Sequence, residues 1–310
     1  ALSLTMGLIF LSFVVITGIG GMVSLAQATF VTAGGLTAGW ALNHDWGVDL
    51  PLVASNGQLN FLLAALLGGV VGAGAGLLVA LPVRRLGGVS IAIGTLAIAF
   101  AAEVLVFGQP DLNNDSAGWF IRSPTLDVPL VNWLNDLLLS GDQPFLDLAQ
   151  PQDQIVVGLV VFGIAALGFH SLMRSATGRA MLAVRSSQVA ATSSGISASR
   201  TTLLLFALAG GIAGFGGALL GVQTFIFTQT SARPYATLFW LALAVTFGIR
   251  RPGGALLAGF ALICSPAIFQ WLSDDVLPQG SVSDLLSSPY FVPILSGIAA
   301  INLAQEPDGI

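Results

Sequence analysis

About nine apolar runs, most of them close to twenty residues long and separated by polar stretches, fill this 310-residue chain. An α-helix needs about 20 apolar residues to cross the hydrocarbon core of a bilayer. No water reaches that core, so each backbone N–H and C=O must be paired within the protein, which only helices and closed barrels achieve. A barrel strand would alternate apolar and polar residues over about ten positions; the runs here are longer and do not alternate. The composition agrees, with 55% hydrophobic and 8% charged residues and a mean hydropathy of +0.88. A soluble domain carries about 25% charged residues, so this chain cannot cover a globular surface. The expected fold is all-α: one polytopic membrane bundle over residues 1–310, with about eight to nine transmembrane segments.

The runs fall at about 1–18, 22–42, 61–81, 88–107, 155–172, 203–222, 235–249, 254–271 and 290–303. Gly18-Ile19-Gly20-Gly21 separates the first two, and the third ends at Pro82 and the Arg84-Arg85 pair. The longest loop, 109–153, holds seven aspartates and Arg122. Within it, residues 130–140 place Leu130, Trp133, Leu134, Leu137 and Leu138 at helical spacing. This predicts a short helix, either lying in the membrane interface or packed on its own loop. The chain opens on Ala1 inside an apolar run with no basic segment before it, so no cleaved signal peptide is expected.

Orientation follows from the arginines, because cytoplasmic loops are enriched in basic residues. Alternating the spans places Arg84, Arg85, Arg174, Arg179, Arg185, Arg200, Arg250 and Arg251 on one side, eight of the ten. That side is read as cytoplasmic, with 174–202 its main segment and 109–153 extracytoplasmic. Twelve of the fifteen carboxylates fall on the opposite side. The acidic face either attracts a basic partner or is simply solvated.

Several chemistries are excluded by residue type. There is no lysine, hence no P-loop and no Schiff base. Cys264 is the single cysteine, and His44 and His170 lie far apart in sequence, so no metal site is expected. No G-x-S-x-G occurs. No catalytic residues, cofactor or nucleic-acid partner are expected. Small residues recur every fourth position at Gly68, Gly72 and Gly76, at Gly210 and Gly214, and at Ala213, Gly217 and Gly221. Residues four apart share a helix face, so these are expected to be seams of close helix approach. The seam of the sixth run either only packs or also transmits movement from the cytoplasmic segment before it.

Three blocks then carry a likeness: GIGGMVSLAQATFVTAGGLTAGWAL (18–42), LPVRRLGGVSIAIGTLAIAFAAEVLVF (81–107) and GRAMLAVRSSQVAATSSGIS (178–197). In this order and spacing the chain resembles the permease subunits of branched-chain amino acid ABC importers of the LivM type, over roughly residues 5–270. The resemblance implies a cytoplasmic coupling segment that docks on an ATPase subunit through a Glu-Ala-Ala-x-x-x-Gly pattern. Here Val189 stands at the Glu position, followed by Ala190, Ala191 and Gly195. Arg179, Arg185, Ala190, Ala191 and Gly195 are the expected docking residues. Arg179 to Ser194 is expected to form one helix with a small apolar face, stopped by Gly195 in a left-handed conformation. The alternative is a basic helix lying on anionic lipid.

The resemblance also implies partners: ABC ATPase subunits, a sister permease chain, an extracytoplasmic substrate-binding protein and the lipid of a bacterial inner membrane. A start inside an apolar run fits fusion behind that sister. Candidates for the substrate pathway are Ser24 and Gln27 on one face of the second run and Thr29 and Thr32 on another, with interhelical hydrogen bonding as the alternative role. Glu103, the carboxylate inside a clear span, is either a contact for a substrate ammonium or an interfacial group reaching water. His170 is read as an interface residue. The competing functions are an ion-coupled secondary transporter of small polar solutes and an ABC permease for urea or another small amide. Span centres without Asp, His, Lys or Arg argue against proton coupling but not against sodium held by backbone carbonyls.

Overall fold

Gly18, Gly20 and Gly21 interrupt the first apolar run, and the chain's central helices are arranged around that break. The computed structural model describes residues 1–46, 54–55, 58–121 and 150–271, with isolated positions between 288 and 298. Helix α1 (Leu2–Phe13) widens into a π-helical turn, Val14–Ile19, where the Gly20 N–H reaches the Val15 carbonyl at 3.3 Å. Gly21 follows at φ +65°, a left-handed conformation that costs a residue with a β-carbon roughly 1–2 kcal/mol. Residues 21–26 are not helical, and α2 (Gln27–Asn43) begins five residues later than the hydropathy predicts.

Helix α3 (Phe61–Val83) starts where the Asn60 side chain accepts from the Leu62 N–H at 3.4 Å. Its Pro82 lies in the last turn, and the helix ends one residue later. Helix α4 (Val89–Ala102) also runs into a π-helical turn, Glu103–Phe107. Helix α5 (Pro151–Arg174) opens on a proline, which suits the first turn because its missing N–H would have no helical partner there. Two short helices, α6 (Ala176–Ser186) and α7 (Gln188–Ser193), lead to α8 (Ala198–Thr224). Helix α8 starts five residues before its apolar run, because Ser197 caps it by accepting from the Arg200 N–H at 3.4 Å. The last two described helices are α9 (Ala236–Thr246) and α10 (Pro252–Trp271).

Among the described residues, six helices are long and apolar enough to cross a membrane: α1 with its π turn, α3, α4 with its π turn, α5, α8 and α10. Helices α2 and α9, expected as full spans, have 17 and 11 residues. At 1.5 Å per residue they reach only about 26 Å and 17 Å. Most of the expected last span at 290–303 and the helix at 130–140 lie outside the described residues, as does Arg122.

The core is built where small residues let backbones touch. Helices α2, α3 and α8 meet at Gly34, Gly68 and Gly214, and α3 and α8 run together along Gly72 and Gly210. At each of these five glycines a β-carbon would strike a facing helix's backbone. Helix α1 packs against α8, α10 and α5. At one end of the bundle, β3 (Trp119–Phe120, following β1, Ala54–Ser55, and β2, Gln58–Leu59) pairs antiparallel with β4 (Ile226–Phe227). Phe227 is fully buried there against Gly35 and Gly221. At the other end, Arg84 Nη1 donates to Ser199 Oγ at 3.4 Å and Ile249 sits on Gly18. The basic ends of α3, α8 and the α9–α10 turn thus share the side of the α1 break.

Candidate functional site

A helix that starts inside a packed bundle leaves its first N–H groups facing other helices rather than water. Helix α2 does this, and hydroxyl groups answer it. Leu25 N–H donates to Thr95 Oγ1 of α4 at 2.9 Å, Ala26 N–H to Ser24 Oγ at 3.4 Å, and Ala28 N–H to Thr237 Oγ1 of α9 at 3.2 Å. One turn on, Thr32 Oγ1 donates to the Ala232 carbonyl at 2.9 Å. Ser12 Oγ of α1 donates to the Ile9 carbonyl at 2.6 Å and lies 3.4 Å from Gln27 Oε1. Ser12, Ser24, Gln27, Thr29, Thr32, Thr95 and Thr237 are each at most 4% exposed. They form a polar layer within otherwise apolar walls. Two atoms in it, Gln27 Nε2 and Thr29 Oγ1, have no hydrogen-bond partner. Such orphans are costly in an apolar setting, and one common reason to keep them is function.

Three of the four expected pathway residues, Ser24, Gln27 and Thr29, are therefore buried at and just before the start of α2. Ser24 does so differently than expected: it precedes α2 rather than sharing a helical face with Gln27. Glu103 does not join them. It is half-buried at the start of the α4 π turn, beside Val104 and Leu105, which are 69% and 68% exposed. Ser12, Thr95 and Thr237 were not singled out, because isolated hydroxyls are scattered through most of the runs and hydropathy does not rank them. The layer offers neutral donors and acceptors and no ionisable side chain. Among the described residues no group of three His, Cys, Asp or Glu side chains could hold a metal ion.

The arginine-bearing segment is the second part of the site. The single helix expected from Arg179 to Ser194 is two, because Ser187 takes an extended conformation (φ −159°, ψ 110°). Ser187 gains by this: its Oγ caps α7, accepting from Ala190 N–H at 3.2 Å, as Ser175 caps α6 through Gly178 N–H at 3.1 Å. Gly195 stops α7 at φ +82°. Ile196 N–H reaches the Ala191 carbonyl at 2.9 Å and Gly195 N–H the Thr192 carbonyl at 3.0 Å, the paired bonds of a Schellman stop.

The corner so formed turns Ala190 and Gly195 outward and buries Ala191. Val189 is 80% exposed at its tip. Arg179 is exposed and donates from Nη1 to the Arg174 carbonyl at 2.9 Å. Arg185 is exposed as well, but its Nη1 donates to the Gly18 carbonyl at the end of the first π turn.

The family described as branched-chain amino acid transport system / permease component matches residues 1–292. The chain is 25% identical over 305 residues to the high-affinity branched-chain amino acid transport system permease protein LivM of Salmonella typhimurium, and 24% identical over 303 residues to that of Escherichia coli. Each match covers 96% of this chain, and the chain spans 65% of the length of those relatives. No solved structure matches it. With six helices among the described residues able to span a bilayer, it is a multi-pass protein of the inner membrane, and by the match over nearly its whole length the chain belongs to the branched-chain amino acid transport system permease component family.

Proposed function

We propose that this chain is the transmembrane permease subunit of an ATP-driven ABC importer for branched-chain amino acids, whose alternating access is driven by separate ATPase subunits. One observation carries the reading beyond family membership. The α6–α7 corner holds Val189, the most exposed large apolar side chain among the described residues, at a capped and stopped helix tip on the arginine-bearing end. A short rigid knob with an apolar tip suits insertion into a groove on a partner protein. Arg179, Ala190 and Gly195 lie on the docking surface, and Ala191 anchors the knob from behind.

The polar layer around Gln27 serves as the substrate pathway. Its uncharged hydroxyls and amide pass a polar solute without offering a proton relay, which favours this mechanism over a proton-coupled carrier. The importer reading brings a sister permease, fused or separate, and an extracytoplasmic binding protein that delivers substrate. The branched-chain substrate is taken from the names of the LivM relatives. An uncharged layer suits urea or another small amide equally, so the test must separate these.

The test is uptake into vesicles holding this chain with its sister permease, ATPases and binding protein, using labelled leucine, urea and ribose with and without ATP. ATP-dependent leucine uptake alone is the expected result. ATP-dependent uptake of urea or ribose keeps the mechanism and replaces the substrate. Uptake that ignores ATP and follows an ion gradient overturns the importer reading.

A further inference from the structure

We infer that Arg185 is a positioning residue that links the docking corner to the substrate pathway, rather than a contact for the ATPase; this rests on the importer reading above. Three placements support it. Arg185 Nη1 donates to the Gly18 carbonyl, which ends the π turn of α1. Its aliphatic stem lies along Gly21, where an added β-carbon would sit 2.8 Å from Cγ and 3.2 Å from Cδ. From Gly21 the chain reaches Ser24 and Leu25, whose backbone N–H is held by Thr95 of the polar layer, within four residues. Arg185 belongs to α6, so it moves with the docking corner, while Gly18 and Gly21 begin the segment that enters the layer.

The break is enclosed on its other sides. Gly18 abuts the Ile249 carbonyl in the α9–α10 turn, and a β-carbon at Gly20 would sit 2.8 Å from Leu205 Cδ1 of α8. A displacement of α6 therefore pulls on a hinge already held by three elements, and the non-helical residues 21–26 offer the freest response. π-helical turns and glycine pairs are where helices bend. The guanidinium is suited to this role because its several donors are fixed in one plane and its charge does not titrate.

The experiment uses the full complex in vesicles and measures three quantities: ATPase subunits retained on purification, ATP hydrolysed, and labelled leucine moved per ATP. Arg185→Ala is expected to retain the ATPase subunits and to lower leucine moved per ATP by about tenfold. Gly21→Ala, which crowds the same contact from the other side, is expected to give the same pattern. Arg185→Lys keeps a donor without the planar fork and is expected to fall between. Because a loosened fold would also lower uptake, the ratio is read only from complexes whose thermal stability equals the unsubstituted one, and Arg185→Lys preserves the test if Arg185→Ala does not assemble. Loss of ATPase subunits from Arg185→Lys or Gly21→Ala would make the arginine a docking contact and overturn the inference. An unchanged ratio in Arg185→Ala or Gly21→Ala would overturn it as well. Failure of the importer reading is seen separately, as an unsubstituted complex that binds no ATPase or moves leucine without ATP.

Discussion

Helix α1 with its π turn and helix α5 have the same mean hydropathy over their most apolar eighteen residues, yet 83% of that stretch is buried in the first and 17% in the second. In water, equal hydropathy would mean roughly equal burial. In lipid the solvent is as apolar as the core, so hydrophobicity no longer sorts inside from outside. What differs is the neighbours. Gly7 of α1 lies against the Leu256 backbone of α10, and Ser12 points at Gln27, while Gly163 and Gly168 of α5 have nothing within 4 Å of where a β-carbon would sit. Close backbone approach and buried hydroxyls mark the protein-facing helix; leucine and valine without them mark the one facing out.

The largest effect that would test this contrast comes from enlarging a glycine on each side of it. Gly72→Leu drives a side chain into the Gly210 carbonyl and the Gly214 backbone at the α3–α8 seam. No rotamer avoids a backbone, so the expected cost exceeds the roughly 1–3 kcal/mol of ordinary overpacking. Little folded protein should survive size-exclusion chromatography in detergent. Gly163→Leu on α5 should change stability by less than about 0.5 kcal/mol, as an open surface position does. If Gly163→Leu proved as damaging, another protein surface would have to cover α5.

The next effect down concerns the layer where α2 begins. Thr95→Val removes the oxygen that takes the Leu25 N–H and leaves that donor buried, at an expected cost of about 1–3 kcal/mol. Thr95→Ser restores the oxygen and should recover most of the stability. Thermal unfolding in detergent measures both, and equal losses in the two would show that methyl packing rather than the hydroxyl matters there. A smaller change, about 1 kcal/mol, is expected for Gly195→Ala, which places a β-carbon at φ +82° in open space. Its effect should be confined to the end of α7 and seen as faster amide exchange at residue 195 and Ile196, the donors of the stop.

How far the sequence carried these readings differs between the two regions. Long apolar runs, the arginine asymmetry and the every-fourth-residue glycines are local patterns with one physical cause each, so the membrane class, the basic end and the α3–α8 seam were legible. The Gly195 stop was legible for the same reason, since the left-handed turn favours glycine. The late start of α2 was not. Residues 22–26 are as apolar as a helix requires, and what keeps them out of one is capping by Thr95 and Thr237, which lie 70 and 209 residues from their partners. The α6–α7 corner was missed because Ser187 reads as a tolerable helix residue until its hydroxyl is seen to cap the next helix. Arg185 is read from the sequence as a docking residue because nothing in its own segment points to Gly18.

The smallest structural effect is expected at the residue where function should show most clearly. Gln27 Nε2 already lacks a partner, and Gln27 Oε1 has Ser12 Oγ only at 3.4 Å. Gln27→Leu therefore removes a poorly satisfied amide and replaces it with a shorter apolar side chain of comparable bulk. Removing an orphan donor offsets the loss of a long hydrogen bond, so stability should stay within about 1 kcal/mol or rise. If the amide serves only the packing of α2, uptake should follow stability and remain unchanged. If the unpartnered N–H₂ is held for a passing solute, uptake should fall while the melting temperature does not. That dissociation separates the two roles, because a packing residue whose loss costs nothing in stability has no route to lower transport.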